Sequence, residues 1–294
     1  MSGNGDDKRW FEERLYDSTR YAFRADKVIY EEDTEFQHLA LFENEKFGRV
    51  LMLDGVTQVT TADEFIYHEM MTHVPILAHG AAERVLVIGG GDCGIANQVL
   101  KHTSVKHLTQ VEIDPSVIEF AKTHFSVFNA SVFEDDRFHS VIADGMKFVA
   151  ETDERFDVII VDSTDPIGPG EVLFSQAFYD ACAGILTGKG IMVTQNGVPF
   201  MQADELVTSI SRFKKSFTDA SAYLAAIPTY IGGHMAMGWA SHDGEARFRG
   251  AGVLTERFAK AGFDTRYYTP RVHAGAFALP RFIEELIEKG LQQG

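Results

Sequence analysis

Between His38 and Thr60 short apolar runs are separated by turn residues. "HLALFEN", "GRVLMLDG" and "VTQVT" are rich in branched residues and are divided by Asn44, Gly48 and Asp54-Gly55, so a β-rich first part is predicted. "TADEFIYHEMMTHV" comes next. Thr61 and Glu64 form a capping-box pattern, which predicts a helix carrying Tyr67, His68 and Glu69. From Arg84 the pattern changes. "RVLVIGGGD", "HLTQVEID", "FHSVIADG", "FDVIIVD" and "GIMVTQNG" read as strands. "GIANQVLKH", "PSVIEFAKTHF", "SQAFYDACAGIL" and "ADELVTSISRFKKSF" read as helices, with Pro115 in the first turn of one. Such alternation implies an α/β fold with a parallel sheet covered on both faces. Ligands of these sheets bind beyond the carboxyl ends of the strands. "GGGD", "VEID", "ADG" and "VDSTD" all fall at that edge.

Composition narrows the function classes. The chain has 294 residues, enough for one large domain or a large and a small one. No apolar run reaches membrane-spanning length, and the N-terminus has no basic segment followed by an apolar one. The two cysteines, Cys93 and Cys182, give neither a disulfide framework nor metal-ligand spacing, and a cytoplasmic location is expected. A formal net charge of −16 disfavours nucleic acid and anionic membranes as partners and favours cationic ligands.

Gly89, Gly91 and Gly94 fit G-x-G-x-x-G between a strand and a helix, and Glu112 closes the next strand about 20 residues on, where an acid binds ribose hydroxyls. Asp92 selects among nucleosides. Beside a pyrophosphate its carboxylate would cost roughly 4 kcal/mol at ~4 Å and an effective dielectric of ~20, whereas a sulfonium or ammonium would gain. An S-adenosyl-type ligand is therefore expected. Asp144 and Gly145, ending the third strand, would then meet the adenine. "VDSTDPIGPGE" adds Asp162 and Asp165 in a loop stiffened by Pro166 and Pro169. Asp, Ser, Pro and Gly are also ordinary turn residues. The company of three other acidic strand ends at the same edge argues for a site.

With these residues assembled the chain resembles the spermidine synthase family of polyamine aminopropyltransferases. The matching stretches are "FGRVLMLDGVTQ", "DEFIYHEMMTHVP", "VLVIGGGD", "VEID", "DSTDPIGPGE" followed one residue on by "LF", and "AIPTY" followed one residue on by "GG". The resemblance implies a small N-terminal β-rich domain with a linking helix over residues 1–78 and a methyltransferase-like Rossmann domain with a mostly parallel sheet over residues 79–294. It implies aminopropyl transfer from decarboxylated S-adenosylmethionine, a co-substrate, to putrescine, giving spermidine and methylthioadenosine with no cofactor and no metal. By motif the nucleoside would contact Gln37, His68, Asp92, Glu112, Asp144, Gly145 and Pro169. The diamine would lie along Tyr67, Asp162, Asp165 and Tyr230, with Asp162 as proton acceptor. The assembly would be a homodimer or homotetramer. The sequence departs from the family at Cys93, where Gly-Asp-Gly-Gly or Gly-Asp-Gly-Ala is usual, and at Asn97-Gln98, often an Arg-Glu pair. These positions bear on fine specificity and rate.

The chemistry fits these residue types. A diamine carries a cation at each end, and acids spaced along a cleft suit it. An alkylamine of pKa ~10 costs about 4 kcal/mol to deprotonate at neutral pH, so an acceptor for that proton is needed. A non-catalytic polyamine- or nucleoside-binding protein is a rival that the intact set of acids disfavours, and two further alternatives stand beside this reading. One is an aminopropyltransferase acting on another diamine such as cadaverine. The other is a class I methyltransferase with the same fold, which the paired Asp162 and Asp165 disfavour.

Overall fold

The short apolar runs of the first part become an all-β unit. The computed structural model describes residues 9–33, 38–163 and 168–294. Strands β1 (Trp10–Glu13) and β2 (Tyr21–Arg24) pair antiparallel. Strands β3 (Lys27–Asp33), β4 (His38–Asn44), β5 (Gly48–Leu53) and β6 (Val56–Thr60) form a four-stranded antiparallel sheet in chain order. Asp54 and Gly55 join β5 to β6 with φ of 49° and 75°, the doubly left-handed backbone of a tight hairpin. Phe11, Phe23, Phe42, Val50 and Met52 make the core of this unit, with the Phe11 and Phe42 rings stacked at 4.3 Å between centroids. Residues 228–231 also belong to it. The Thr229 amide and hydroxyl donate to Asp63 at 2.8 and 2.6 Å, and the Tyr230 hydroxyl donates to the Gln58 carbonyl at 2.7 Å.

Two expectations are corrected here. Thr61 does not cap the helix. Helix α1 runs Glu64–His79, and the Thr61 hydroxyl accepts instead from the Arg49 amide at 3.0 Å, filling the space left by Gly48. The boundary expected at 78/79 lies at Glu64/Phe65, because α1 groups with the larger, second unit. The Glu69 carboxylate accepts from the backbone amides of Arg266, Tyr267 and Tyr268 at 2.8, 2.8 and 2.7 Å, and the Tyr223 hydroxyl donates to the Met70 carbonyl.

The second unit continues with β7 (Arg84–Gly89), α2 (Gly94–Leu100), β8 (His107–Glu112), α3 (Pro115–His124), α4 (Ser126–Asn129), β9 (Phe138–Ile142), α5 (Gly145–Glu151) and β10 (Phe156–Asp162). Then come α6 (Gln176–Ile185), β11 (Leu186–Gln195), α7 (Ala203–Ser216), β12 (Asp219–Ala225), β13 (Met235–Ser241), α8 (Ala251–Ala261), α9 (Pro270–Ala276) and α10 (Arg281–Gln293). The expected helix starts hold. Pro115 opens α3 behind the Asp114 cap, and Ser175 caps α6. One seven-stranded sheet runs β12-β13-β11-β10-β7-β8-β9. Strands β7 to β11 are mutually parallel, and β13 is antiparallel to both of its neighbours. Leu86, Ile88, Ile159, Val161, Met192, Phe178, Tyr179 and Phe213 form its main core. The chain leaves β7 toward β8 on one side and reaches β10 on the other. The carboxyl ends of β7 and β10 thus mark the point where strand order reverses, the usual place for a ligand in such sheets. Among the described residues no helix is long and apolar enough to cross a membrane.

Candidate active site

Asp162, Glu112 and Asp144 reach one sheet edge by ending or following a strand. Asp162 is the last residue of β10 and stands in register with Gly89, the last of β7. Glu112 ends β8. Asp144 follows β9, where its carboxylate also caps α5 by accepting from the Lys147 amide at 3.0 Å, and Gly145 opens that helix.

Glycine permits the turn between β7 and α2. Gly89 and Gly90 take φ of 80° and 64°, and a Cβ on Gly89 would lie 2.1 Å from the Asp162 carbonyl oxygen. The Gly90 amide donates to that carbonyl at 3.0 Å, tying the turn to β10. Asp92 spends one carboxylate oxygen on the Gly94 amide at 2.8 Å. Its other oxygen lies 3.3 Å from His68 Nε2. Gly94 makes room for that imidazole: a Cβ there would sit 2.0 Å from His68 Cε1. One residue earlier on α1, the Tyr67 hydroxyl donates to Asp162 at 2.6 Å.

Electrostatics separates the roles of the acids. Burial, followed by the charge of Asp92, pushes the Asp162 carboxyl up to about 6; Glu112 adds to this, while the Tyr67 hydrogen bond and His68 oppose it. Burial also raises Glu112, against the amides of Asp114 and Ile113 that donate to its Oε1 at 3.1 and 2.9 Å. Asp162 thus has proton affinity matched to acid–base work near neutrality.

The structure brings Tyr67, His68, Asp92, Glu112 and Asp162 together. Tyr230 belongs to the first unit. Gln37 and Asp165 lie outside the described residues, as does the side chain of Pro169 in the turn Gly168–Phe174. Gln195 is a site-edge residue that the sequence reading passed over. It ends β11, one position beyond the register pair Val161–Thr194, so it stands beside Asp162 and is buried. The strand-end rule that selected the acids would have selected it, had it not been applied to carboxylates alone.

Comparison with known proteins places the chain in a family. A "Spermine/spermidine synthase domain" matches residues 64–249, and a "Spermidine synthase tetramerisation domain" matches residues 9–61. The chain belongs to the spermine/spermidine synthase family. It is 56% identical to a polyamine aminopropyltransferase of Ruegeria sp. (strain TM1040), covering 94% of this chain and 98% of that one. It is 53% identical to a polyamine aminopropyltransferase of Pseudomonas syringae pv. tomato, covering 95% and 98%. Among solved structures it resembles a spermidine synthase in complex with the transition-state analogue AdoDATO, with a TM-score of 0.89 and 35% identity over 95% of each chain. The Thermotoga maritima spermidine synthase superposes with a TM-score of 0.86 at 33% identity, covering 95% of this chain and 94% of that one. Against that family, Cys93 occupies a left-handed position, φ 61°, that glycine would adopt without strain. Asn97 accepts from the Ser131 hydroxyl at 3.2 Å, and Gln98 is buried.

Proposed function

We propose that the chain transfers an aminopropyl group from decarboxylated S-adenosylmethionine to putrescine, giving spermidine and methylthioadenosine. The observation that carries this is the Tyr67–Asp162 pair, with the raised Asp162 carboxyl, set beside the glycine turn and Glu112. Glu112 takes the ribose. Asp92 faces the ammonium of the aminopropyl tail. Ordinary S-adenosylmethionine brings an α-carboxylate to the same place, which Asp92 and Asp162 repel. The diamine nitrogen gives its proton to Asp162 and attacks the carbon next to sulfur. The nitrogen–carbon bond forms, the carbon–sulfur bond breaks, and the electron pair returns to sulfur as a neutral thioether. Atoms and charge balance without a metal, an organic cofactor or a covalent enzyme intermediate. Holding nucleophile and carbon in line supplies much of the rate.

Gln37, Asp144, Gly145, Asp165, Pro169 and Tyr230 keep, within this proposal, the roles that the family resemblance gives them. The match of residues 9–61 to a tetramerisation domain supports a homodimer or homotetramer. The unpaired, buried Cys93 and Cys182 support a cytoplasmic location. A mass-spectrometric assay with decarboxylated S-adenosylmethionine and a panel of diamines tests the reading. Spermidine plus methylthioadenosine is expected from putrescine. A methylated product, or a clear preference for cadaverine, would replace it.

A further inference from the structure

Gln110 stands in β8 two residues before Glu112, so both side chains leave the same face of the strand. It is fully buried. Its Nε2 donates to the carbonyls of Gly90 at 2.7 Å and Gly89 at 3.2 Å, the two glycines held at positive φ. On the other flank the Gly90 amide is tied to β10. Turn and acid are already close, since a Cβ on Gly91 would lie 3.0 Å from Glu112 Oε2. One strand therefore carries both the ribose-binding acid and the tether of the turn. Packing alone does not call for an amide there. Among the described residues Gln110 Oε1 is buried and meets no hydrogen-bond partner, a cost that an apolar side chain of the same shape would not incur. The nearby Cys93 thiol is pushed up to about 12 by burial and Asp92, against a hydrogen bond from Gln110, and stays protonated.

We propose that Gln110 is a positioning residue: it holds the glycine turn at the distance from Glu112 that the nucleoside requires, and so governs nucleoside affinity rather than the chemical step. This rests on the aminopropyltransferase reading above. Calorimetry with methylthioadenosine and steady-state kinetics on wild type, Gln110→Met and Gln110→Glu test it. Methionine keeps the length and offers no N–H. Its methylthioadenosine affinity should fall roughly tenfold or more, with the KM for decarboxylated S-adenosylmethionine rising in step. The kcat and the diamine KM should stay within about twofold of wild type.

In Gln110→Glu a protonated carboxyl still donates once to the turn, whereas its ionised form repels both carbonyls. Around the adjoining Cys93 stand Asp92, Glu112 and Lys122; burial and the two carboxylates raise the introduced acid, and Lys122 opposes them. Its affinity relative to wild type should therefore decline as pH rises from about 6 to about 8, a profile that a merely structural role would not produce. Wild-type affinity in Gln110→Met, an equal loss of kcat, or a flat profile in Gln110→Glu overturns the positioning role alone. A wild type that binds no methylthioadenosine overturns the functional reading and this inference with it.

Discussion

Asp162→Asn should make the ligand-free protein more stable while removing most of its turnover. The Asp162 carboxyl moves from 3.8 to about 6 on folding, which at 1.36 kcal/mol per pKa unit means its charge costs the folded state about 3 kcal/mol at neutral pH. The sign follows from the order of the two values. Above about 6 the native carboxylate is charged and the full cost is present. As pH falls through about 6 toward 3.8 the folded protein takes up the proton first and the cost disappears. Asparagine resembles the protonated acid, and its Oδ1 still accepts from Tyr67. The ligand-free variant should melt about 6–12 °C above wild type near pH 8. The gap should close as pH is lowered toward about 4. Turnover should fall by a factor on the order of 10² to 10⁴, because asparagine accepts no proton. Differential scanning calorimetry across this range, with turnover assays beside it, checks both halves. An unchanged or lowered melting temperature at pH 8, or a gap that does not narrow on acidification, would refute the electrostatic argument. Near-wild-type turnover would remove Asp162 from the mechanism.

Glu112→Gln should weaken methylthioadenosine binding while leaving the diamine KM less affected; calorimetry showing unchanged affinity would contradict the ribose assignment. Asp92→Asn should narrow the preference for decarboxylated over ordinary S-adenosylmethionine by about tenfold or more, since one partly exposed charge is worth a few kcal/mol. Competition binding of both ligands measures that ratio, and an unaltered ratio would show that Asp92 does not read the tail. Gly94→Ala would place a methyl carbon 2.0 Å from the buried His68 ring, so both melting temperature and turnover should drop. Retention of both would mean that the imidazole moves aside without consequence.

Much of the second unit was legible because its signals are local. Apolar runs of strand length, a glycine turn, and acids at strand ends need only a few neighbouring residues to be read. The hairpin of β12 and β13 was not foreseen. "DASAYLA" and "MAMGWAS" are poor in β-branched residues, and both strands are buried at every position, so neither propensity nor alternation marks them. Thr61 misled for a related reason: the capping pattern is local, but its hydroxyl was claimed by Arg49, twelve residues earlier. Gln110 and Gln195 carry no charge and sit within strand patterns, and their significance appears only when neighbouring strands are laid beside them.

The clasp of Glu69 on Arg266, Tyr267 and Tyr268 also has a bearing on how the protein is made. Its partners are 197 to 199 residues apart in the chain, and Asp63 waits similarly for Thr229, 166 residues downstream. Contacts of such separation form late during synthesis and slowly during refolding. The β-unit is encoded first, yet it lacks one of its own segments until Thr229 has emerged from the ribosome. A nascent chain halted before Arg266 holds every acid of the site, but the helix presenting Tyr67 and His68 lacks the three amides that Glu69 grips. Competence therefore arrives only with the last tenth of translation, and a prematurely terminated product would carry the carboxylates without the means to use them.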